Sequence, residues 1–295
     1  MAPLRRQGAS SVAVAIAGVA AGAAALTLLH RRRRTSLASP KESYVGAGKV
    51  SIVIPAYNEA AVLQATLESI DAVIADRTRT EIVLVNAGCA DDTMSVARAV
   101  PLKTPMHFAA STGGRGPALN AGAAAASGDI LLFCHADTRL PPRADALVRD
   151  AFAGDPAALM ACFTFAVDRS ACVGGRVPVG LGLMEWATNL RCRLSWIMYG
   201  DQALSMTAHH FRRLGGFPNT PLMEDVHLVL CVRKECRRAG FRIHVLPQAA
   251  LCSPRRWERK GVLRNTLLNN FFLFLYLVCD VPVDTIFAMY YGRRP

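Results

Sequence analysis

The stretch Ser127-Gly128-Asp129-Ile130-Leu131-Leu132-Phe133-Cys134-His135-Ala136-Asp137-Thr138 decides how this chain is read. Gly128 marks a turn. Ile130 to Phe133 form a short continuous apolar run, the pattern of a parallel-sheet strand covered on both faces. The run then delivers two polar side chains, His135 and Asp137, where it stops. In open α/β sheets ligands sit in the crevice beyond the carboxyl ends of the strands. A carboxylate there can hold a hard divalent cation against phosphate oxygens. The plain alternative for Asp137 is a cap on the next helix.

Upstream, Val50–Ile54 reads as a first strand, and Pro55-Ala56-Tyr57-Asn58-Glu59 ends it and opens a helix with Val62, Leu63, Thr66, Leu67 and Ile70 on one face. Glu81–Val85 is a second strand, followed by a polar turn from Asn86 to Thr93 and a helical stretch. A weak third strand lies near Met106–Ala109. The loop Ser111–Gly116 precedes an Ala-rich helix whose first turn suits Pro117. This β-α-β-α-β-α-β order predicts an α/β fold with a doubly wound, mostly parallel sheet. Downstream, a helix over 143–152, a strand over Leu159–Val167 and a helix over 180–198 are expected. Gly200–Met206 suits a turn and a strand, Met223–Arg238 a helix, and Phe241–Leu246 another strand. The apolar tail from Val262 to Tyr291 reads as a helix ended by Pro282 and packed on the domain, in preference to an interfacial membrane helix.

Residues 1–41 hold seven Lys or Arg and no Asp or Glu. Taking those seven from the chain's 34 leaves 27 cations against 22 anions over the remainder. That small excess fits an anionic small ligand or an anionic membrane surface, and no nucleic-acid partner is expected. Nine Cys occur without a CxxC pair, which predicts reduced, buried thiols and neither a disulfide frame nor a zinc site. Residues 11–29 are apolar, uncharged and about long enough to cross a bilayer, and Arg31–Arg34 follow. Two readings stay open. One is a transmembrane anchor that leaves the domain on the cytosolic side, and the other is an Arg-rich organellar (plastid or mitochondrial) transit peptide. Residues 1–48 are thus a hydrophobic leader and linker, and 49–295 the folded domain.

Taken in order, Pro55–Glu59, Gly114-Arg-Gly…Leu119-Asn-Ala-Gly122, Gly128-Asp…His135-Ala-Asp-Thr138, Gly200-Asp-Gln202, Leu214-Gly-Gly-Phe217 and Met223-Glu-Asp225 resemble the family-2 glycosyltransferases with a GT-A fold. The resemblance spans roughly residues 49 to 291. It is closest to a small bacterial subfamily found beside radical-SAM and selenium- or arsenic-related genes. It implies inverting transfer of a sugar from a nucleotide-diphosphate sugar donor to an acceptor hydroxyl, with Mn2+ or Mg2+ as cofactor. Such a reaction builds negative charge on the leaving diphosphate and frees a proton from the acceptor. A cation or arginines must meet the first, and a carboxylate the second.

Carried over residue by residue, the resemblance puts Pro55, Ala56, Tyr57 and Glu59 around the nucleoside. Asn86 stands where the family has an Asp that reads the base, so uridine preference is in doubt, although its side-chain oxygen can accept a hydrogen bond. Arg115 would approach the phosphates, with flanking glycines allowing close backbone approach. His135-Ala-Asp137 corresponds to the DxD metal motif with its first Asp replaced. Asp137 would be the metal ligand, and His135 would lie at the donor. Asp225 would be the general base with Glu224 beside it, Arg256 would meet the diphosphate, and Trp257 the acceptor edge. Against these stand plain roles: acids at a helix start, a solvated Arg255-Arg256 pair, and Trp257 in the core. Two other functions compete. A nucleotidyltransferase would need a Gly-rich loop after the first strand, which this chain lacks. A non-catalytic nucleotide-sugar-binding or membrane-recruited scaffold would draw on Asn86 and His135.

Overall fold

The structure, a computed structural model, describes residues 48–195 and 197–292. The expected leader lies outside the described residues. Among those described, no helix is long and apolar enough to cross a membrane.

The nucleotide-side half alternates as expected: β1 (Val50–Ala56), α1 (Ala60–Val73), β2 (Thr80–Asn86), α2 (Thr93–Ala99), β3 (Met106–Ala110), α3 (Arg115–Ala125) and β4 (Ile130–Phe133). A short β5 (Thr138–Arg139), α4 (Ala144–Gly154), β6 (Ala158–Val167), α5 (Leu181–Ser195), β7 (Ser205–Thr207) and α6 (Ala208–Arg213) follow. The chain closes with α7 (Glu224–Ala239), β8 (Arg242–Cys252), α8 (Arg255–Lys260), α9 (Val262–Leu277) and α10 (Val283–Tyr291).

One eight-stranded sheet runs β3-β2-β1-β4-β7-β6-β8-β5. Strands β3, β2, β1 and β4 are mutually parallel, and so are β6 and β8. The β4–β7, β6–β7 and β5–β8 pairs are antiparallel, so the sheet is mostly parallel, as expected, with only the short β7 and β5 reversed. The reversal enters at β7, a three-residue strand inserted between β4 and β6.

Alternation along β1 and β2 explains why helices cover both faces. Ile52, Ile54, Ile82 and Leu84 pack with Leu63, Leu67 and Ile70 of α1 and Val148 of α4. Val53, Val83 and Val85 point the other way, to Ala118 and Leu119 of α3 and Leu228, Val229 and Val232 of α7. Each such buried side chain stabilises the fold by about 2 kcal/mol. Close approach of α3 depends on Gly122, where a Cβ would lie 2.3 Å from Val53 Cγ1.

Two expectations change. The last strand runs on past Leu246 to Cys252, because Pro247 and Gln248 form a bulge that shifts the register between Phe163 and Thr164. Proline has no N–H for the ladder and is tolerated at such a bulge. The Thr164 hydroxyl lies 2.9 Å from the Gln248 carbonyl and covers the gap. The apolar tail is two helices, not one. α9 stops at Leu277, Asp280 turns the chain with φ 50°, and Pro282 precedes α10 rather than ending a single helix.

Candidate active site

Strand order reverses between β1 and β4: β2 and β3 extend one way and the rest of the sheet the other. A crevice at such a switch point, beyond the carboxyl ends, is where an α/β sheet receives a ligand. Here a cleft opens with Arg115, His135, Asp137, Asp201, Asp225 and Arg256 as its charged or polar lining. Trp257, Phe272, Leu273, Tyr290 and Tyr291 supply an apolar and aromatic side.

Each group is positioned by a local device. β4 ends at Phe133 and presents His135 and Asp137 two and four residues on. The extended β8 ends at Cys252 and feeds Ser253–Trp257 into the cleft. Glu224 and Asp225 open α7, where acids complement the positive end of the helix. Met223 just before them adopts φ 62°, a left-handed conformation that costs a non-glycine residue about 1 kcal/mol.

Asp225 is held by two backbone donors: Gly200 N–H to Oδ2 at 2.7 Å and Val226 N–H to Oδ1 at 2.7 Å. Gly200 leaves the His135 ring its place. A Cβ on it would stand 2.8 Å from His135 Nε2 and 3.4 Å from Asp225 Oδ2. Burial lowers the His135 imidazole to about 4, aided by Arg115 and opposed by Asp137, so the ring is neutral near pH 7. Burial raises Asp201 to about 6, and the neighbouring Asp225 adds to the shift. Its Oδ1 is buried without a hydrogen-bond partner.

Glu224 is 1% exposed and sits 3.2 Å from Arg115 Nε. Burial lifts its carboxyl to about 7 against the pull of Arg115. It does not line the cleft, whereas Asp225 does. Glu224 therefore anchors Arg115, and the expected pair of acids divides into one cleft residue and one support.

The Arg255 guanidinium joins the site, which sequence reasoning set aside as one of a solvated pair. It donates to Asp137 Oδ2 at 2.7 Å and to Glu59 at 3.0 and 3.3 Å. Burial would raise Asp137, but the Arg255 hydrogen bond, His135 and Arg256 hold it below the ordinary carboxylate range. Arg256 is exposed and lines the cleft. Trp257 is at once core and wall: it packs on Phe165, ring centroids 5.9 Å apart, and its other side lines the cleft.

Pro55, Ala56, Tyr57, Glu59 and Asn86 sit at the ends of β1 and β2, beside the cleft rather than in its lining. Tyr57 is exposed. Asn86 differs from expectation. Its Oδ1 already accepts Gly88 N–H at 3.0 Å and Cys89 N–H at 2.8 Å, so the amide N–H2, and not the oxygen, is left for a base. The glycines around Arg115 also serve another purpose. A Cβ on Gly114 would lie 2.7 Å from Pro221 Cα, and one on Gly116 would lie 2.2 Å from the Pro218 carbonyl oxygen. Their backbone approaches the 218–221 loop.

For a divalent cation, Asp137 is the cleft carboxylate at the end of β4, with His135 neutral beside it, while Asp201 and Asp225 line the cleft from other segments. No group of three or more His, Cys, Asp or Glu side chains able to hold a metal occurs among the described residues. One carboxylate completed by substrate phosphates is an ordinary way to bind Mg2+, and the residues fit that arrangement rather than an all-protein cage.

With this geometry in place, comparison with known proteins is informative. Residues 51–174 match glycosyl transferase family 2. The fold is also that of solved glycosyltransferases. Mannosyltransferase PcManGT from Pyrobaculum calidifontis, in complex with GDP-Man and Mn2+, superposes with a TM-score of 0.59 at 20% identity, over 97% of this chain and 77% of that one. S. aureus TarS 1-349 with UDP-GlcNAc gives 0.51 at 17% identity, covering 82% and 71%. Glucosyl-3-phosphoglycerate synthase from Mycobacterium tuberculosis, with Mn2+, UDP-Glc and phosphoglyceric acid, gives 0.51 at 17%, covering 86% and 87%. No curated protein sequence matches the chain.

The expected fold is thus met, and the family match covers residues 51–174 of the 49–291 that the resemblance spans. Of the residues expected at the site, Arg115, His135, Asp137, Asp225, Arg256 and Trp257 share one cleft. Residues not assigned a role from sequence are Arg255, Tyr290 and Tyr291. Asp201 was noted only within a motif. Nothing in the spacing of Tyr290 and Tyr291 points to a site, because only the turn at Asp280 brings α10 to the cleft.

Proposed function

We propose that this chain is an inverting glycosyltransferase that moves a sugar from a nucleotide-diphosphate sugar to an acceptor hydroxyl. The observation that carries the reading is the convergence of Asp137, Asp225, Arg115 and Arg256 in one cleft at the sheet's switch point. The family match and the sugar-nucleotide complexes of the structural neighbours support it.

In this reading the acceptor oxygen attacks the anomeric carbon as the bond to the diphosphate breaks. Asp225, oriented by Gly200 N–H, takes the acceptor proton. Arg115 and Arg256 meet the charge that grows on the diphosphate. Asp137 would hold Mn2+ or Mg2+, which when bound supplies further positive charge at the leaving group. Tyr57 stacks on the base, and the Asn86 amide N–H2 addresses an acceptor atom on it. The hydroxyl acceptor enters along Trp257 and the aromatic side. On the motifs quoted above, the reading extends to the subfamily beside radical-SAM and selenium- or arsenic-related genes. It also takes residues 11–34 as an anchor with the domain on the cytosolic side, or as a transit peptide.

The test is a panel of nucleotide sugars with nucleoside diphosphate release as readout. Metal-dependent release from one donor, abolished by Asp225→Asn, is the expected result. Binding without release from any donor and acceptor would favour a non-catalytic scaffold, the reading that Asn86 and His135 support. Pyrophosphate release would indicate nucleotidyl transfer.

A further inference from the structure

Exposed large apolar side chains are not scattered over this protein. Among the described residues there are fourteen, and only Tyr57 and Phe108 lie outside residues 173–194 and 263–291. Along α9, Leu263, Leu267, Phe271, Phe274 and Val278 are 36 to 48% exposed. At about 100° per residue these five fall within an arc of about 80°. The opposite side of the same helix buries Phe272 and Leu273 toward the cleft. The helix is thus apolar on an inner and an outer face, and the inner face alone accounts for its packing.

The outer stripe continues sideways. α5 packs beside α9 through Leu181, Met184 and Val262. α5 exposes Trp186 at 60% and Leu194 at 68%, and the loop before it exposes Val173 at 78% and Val179 at 96%. A surface of this composition marks a partner.

The charges decide which partner. Arg176, Arg193 and Arg264 are exposed in the loop before α5, on α5 and on α9, and Arg259 and Lys260 are exposed on α8, which leads into α9. The acids of α5 and α8 are engaged elsewhere: Glu185 is buried and paired with Arg169, and Glu258 accepts Val173 N–H at 2.7 Å. The exposed acids of residues 263–291 are Asp280 and Asp284, and both lie past the end of α9. A second copy seated on this patch about a twofold axis would meet the same patch and set cations against cations. An anionic bilayer offers the complement: acyl chains for Leu and Phe, headgroup depth for Trp186, and phosphates for the basic rim.

We infer that the outer face of α9, with α5 and the loop before it, is a docking surface for an anionic lipid bilayer. It lays α9 in the plane of the interface and brings the cleft to within about one helix diameter, roughly 10 Å, of the headgroups. The inference does not depend on residues 11–29 spanning a membrane, nor on the reaction proposed above.

The experiment uses the full chain with a fluorescent amino acid replacing Phe271 or, as a control on another surface, Phe108. Vesicles carry brominated phosphatidylcholine, with or without phosphatidylglycerol. A probe at 271 reports on this face alone, whatever residues 11–29 do. Loss of fluorescence at 271 and not at 108 is expected in the anionic vesicles, and it should be reversed by salt and by the combined Arg259→Glu, Lys260→Glu and Arg264→Glu variant. Circular dichroism verifies that the variant is folded. An unquenched probe at 271 would overturn the inference. So would a probe shielded without vesicles in a particle of twice the mass, which would show that a second copy covers the face. Quenching indifferent to phosphatidylglycerol and to charge reversal would overturn the anionic specificity.

Discussion

The Arg255 guanidinium lies 2.7 Å from Asp137 Oδ2 and also grips Glu59. One side chain from the start of α8 thereby ties together the segments that follow β1 and β4. The carboxylate best placed to hold a cation already has a cation on it.

That contact makes Arg255 and a divalent ion competitors for Asp137. Arg255→Met should tighten binding of Mn2+ alone by about tenfold, equivalent to about 1.4 kcal/mol. Isothermal calorimetry without nucleotide reads this directly. Unchanged or weaker Mn2+ binding would show that the ion does not use Asp137.

Asp225→Asn keeps an oxygen for the Gly200 N–H but removes the proton acceptor. Turnover should fall by about 10²- to 10⁴-fold, while donor affinity stays within about threefold, under 1 kcal/mol. Near-normal turnover would assign the base elsewhere, with Asp201, a raised carboxyl lining the same cleft, as the next candidate.

Asp201 is lifted to about 6 by burial and by Asp225. A carboxyl whose folded value lies above its unfolded one binds its proton more tightly when folded. Stability therefore falls as pH rises from about 4 to 6 and stays lowered above that. Asp201→Asn should remove its share of this decline, leaving that of Glu224, whose carboxyl is raised to about 7, and be more stable than the parent at pH 8, by about 2–3 kcal/mol. Thermal unfolding of the two proteins across pH 4–8 tests the sign.

Gly200→Ala should fold and lose activity. Its Cβ would meet His135 Nε2 at 2.8 Å, and the displaced ring shares its space with Asp225. A loss of at least about tenfold in kcat/KM, about 1.4 kcal/mol of transition-state stabilisation, is expected. The circular dichroism spectrum should be unchanged.

Much of this was readable before any coordinates. The apolar run Ile130–Phe133 and the alternating strands and helices before it encode a local pattern, and the sheet follows from it. The Pro247 bulge was not readable, because a proline in a short apolar run argues for a strand end until Thr164 is known to lie opposite. Asp225 and Asp137 came from motif order. The division between Glu224 and Asp225 needed the position of Arg115, about a hundred residues away in sequence. Arg255 and Arg256 are adjacent and chemically identical, and only the turn at the start of α8 separates the one on Asp137 from the one in the cleft. Tyr290 and Tyr291 reach the site through the reversal at Asp280, which leaves no periodic signal.

The measurement that bears most directly on the account is calorimetric binding of a panel of nucleoside diphosphates to the full chain, with and without Mn2+, in the parent and in Asp137→Ala. The account predicts that one nucleotide binds, that Mn2+ strengthens its binding, and that Asp137→Ala removes the metal's effect. Failure of every nucleotide to bind a folded chain would contradict the proposal that the cleft between β1 and β4 is a donor site.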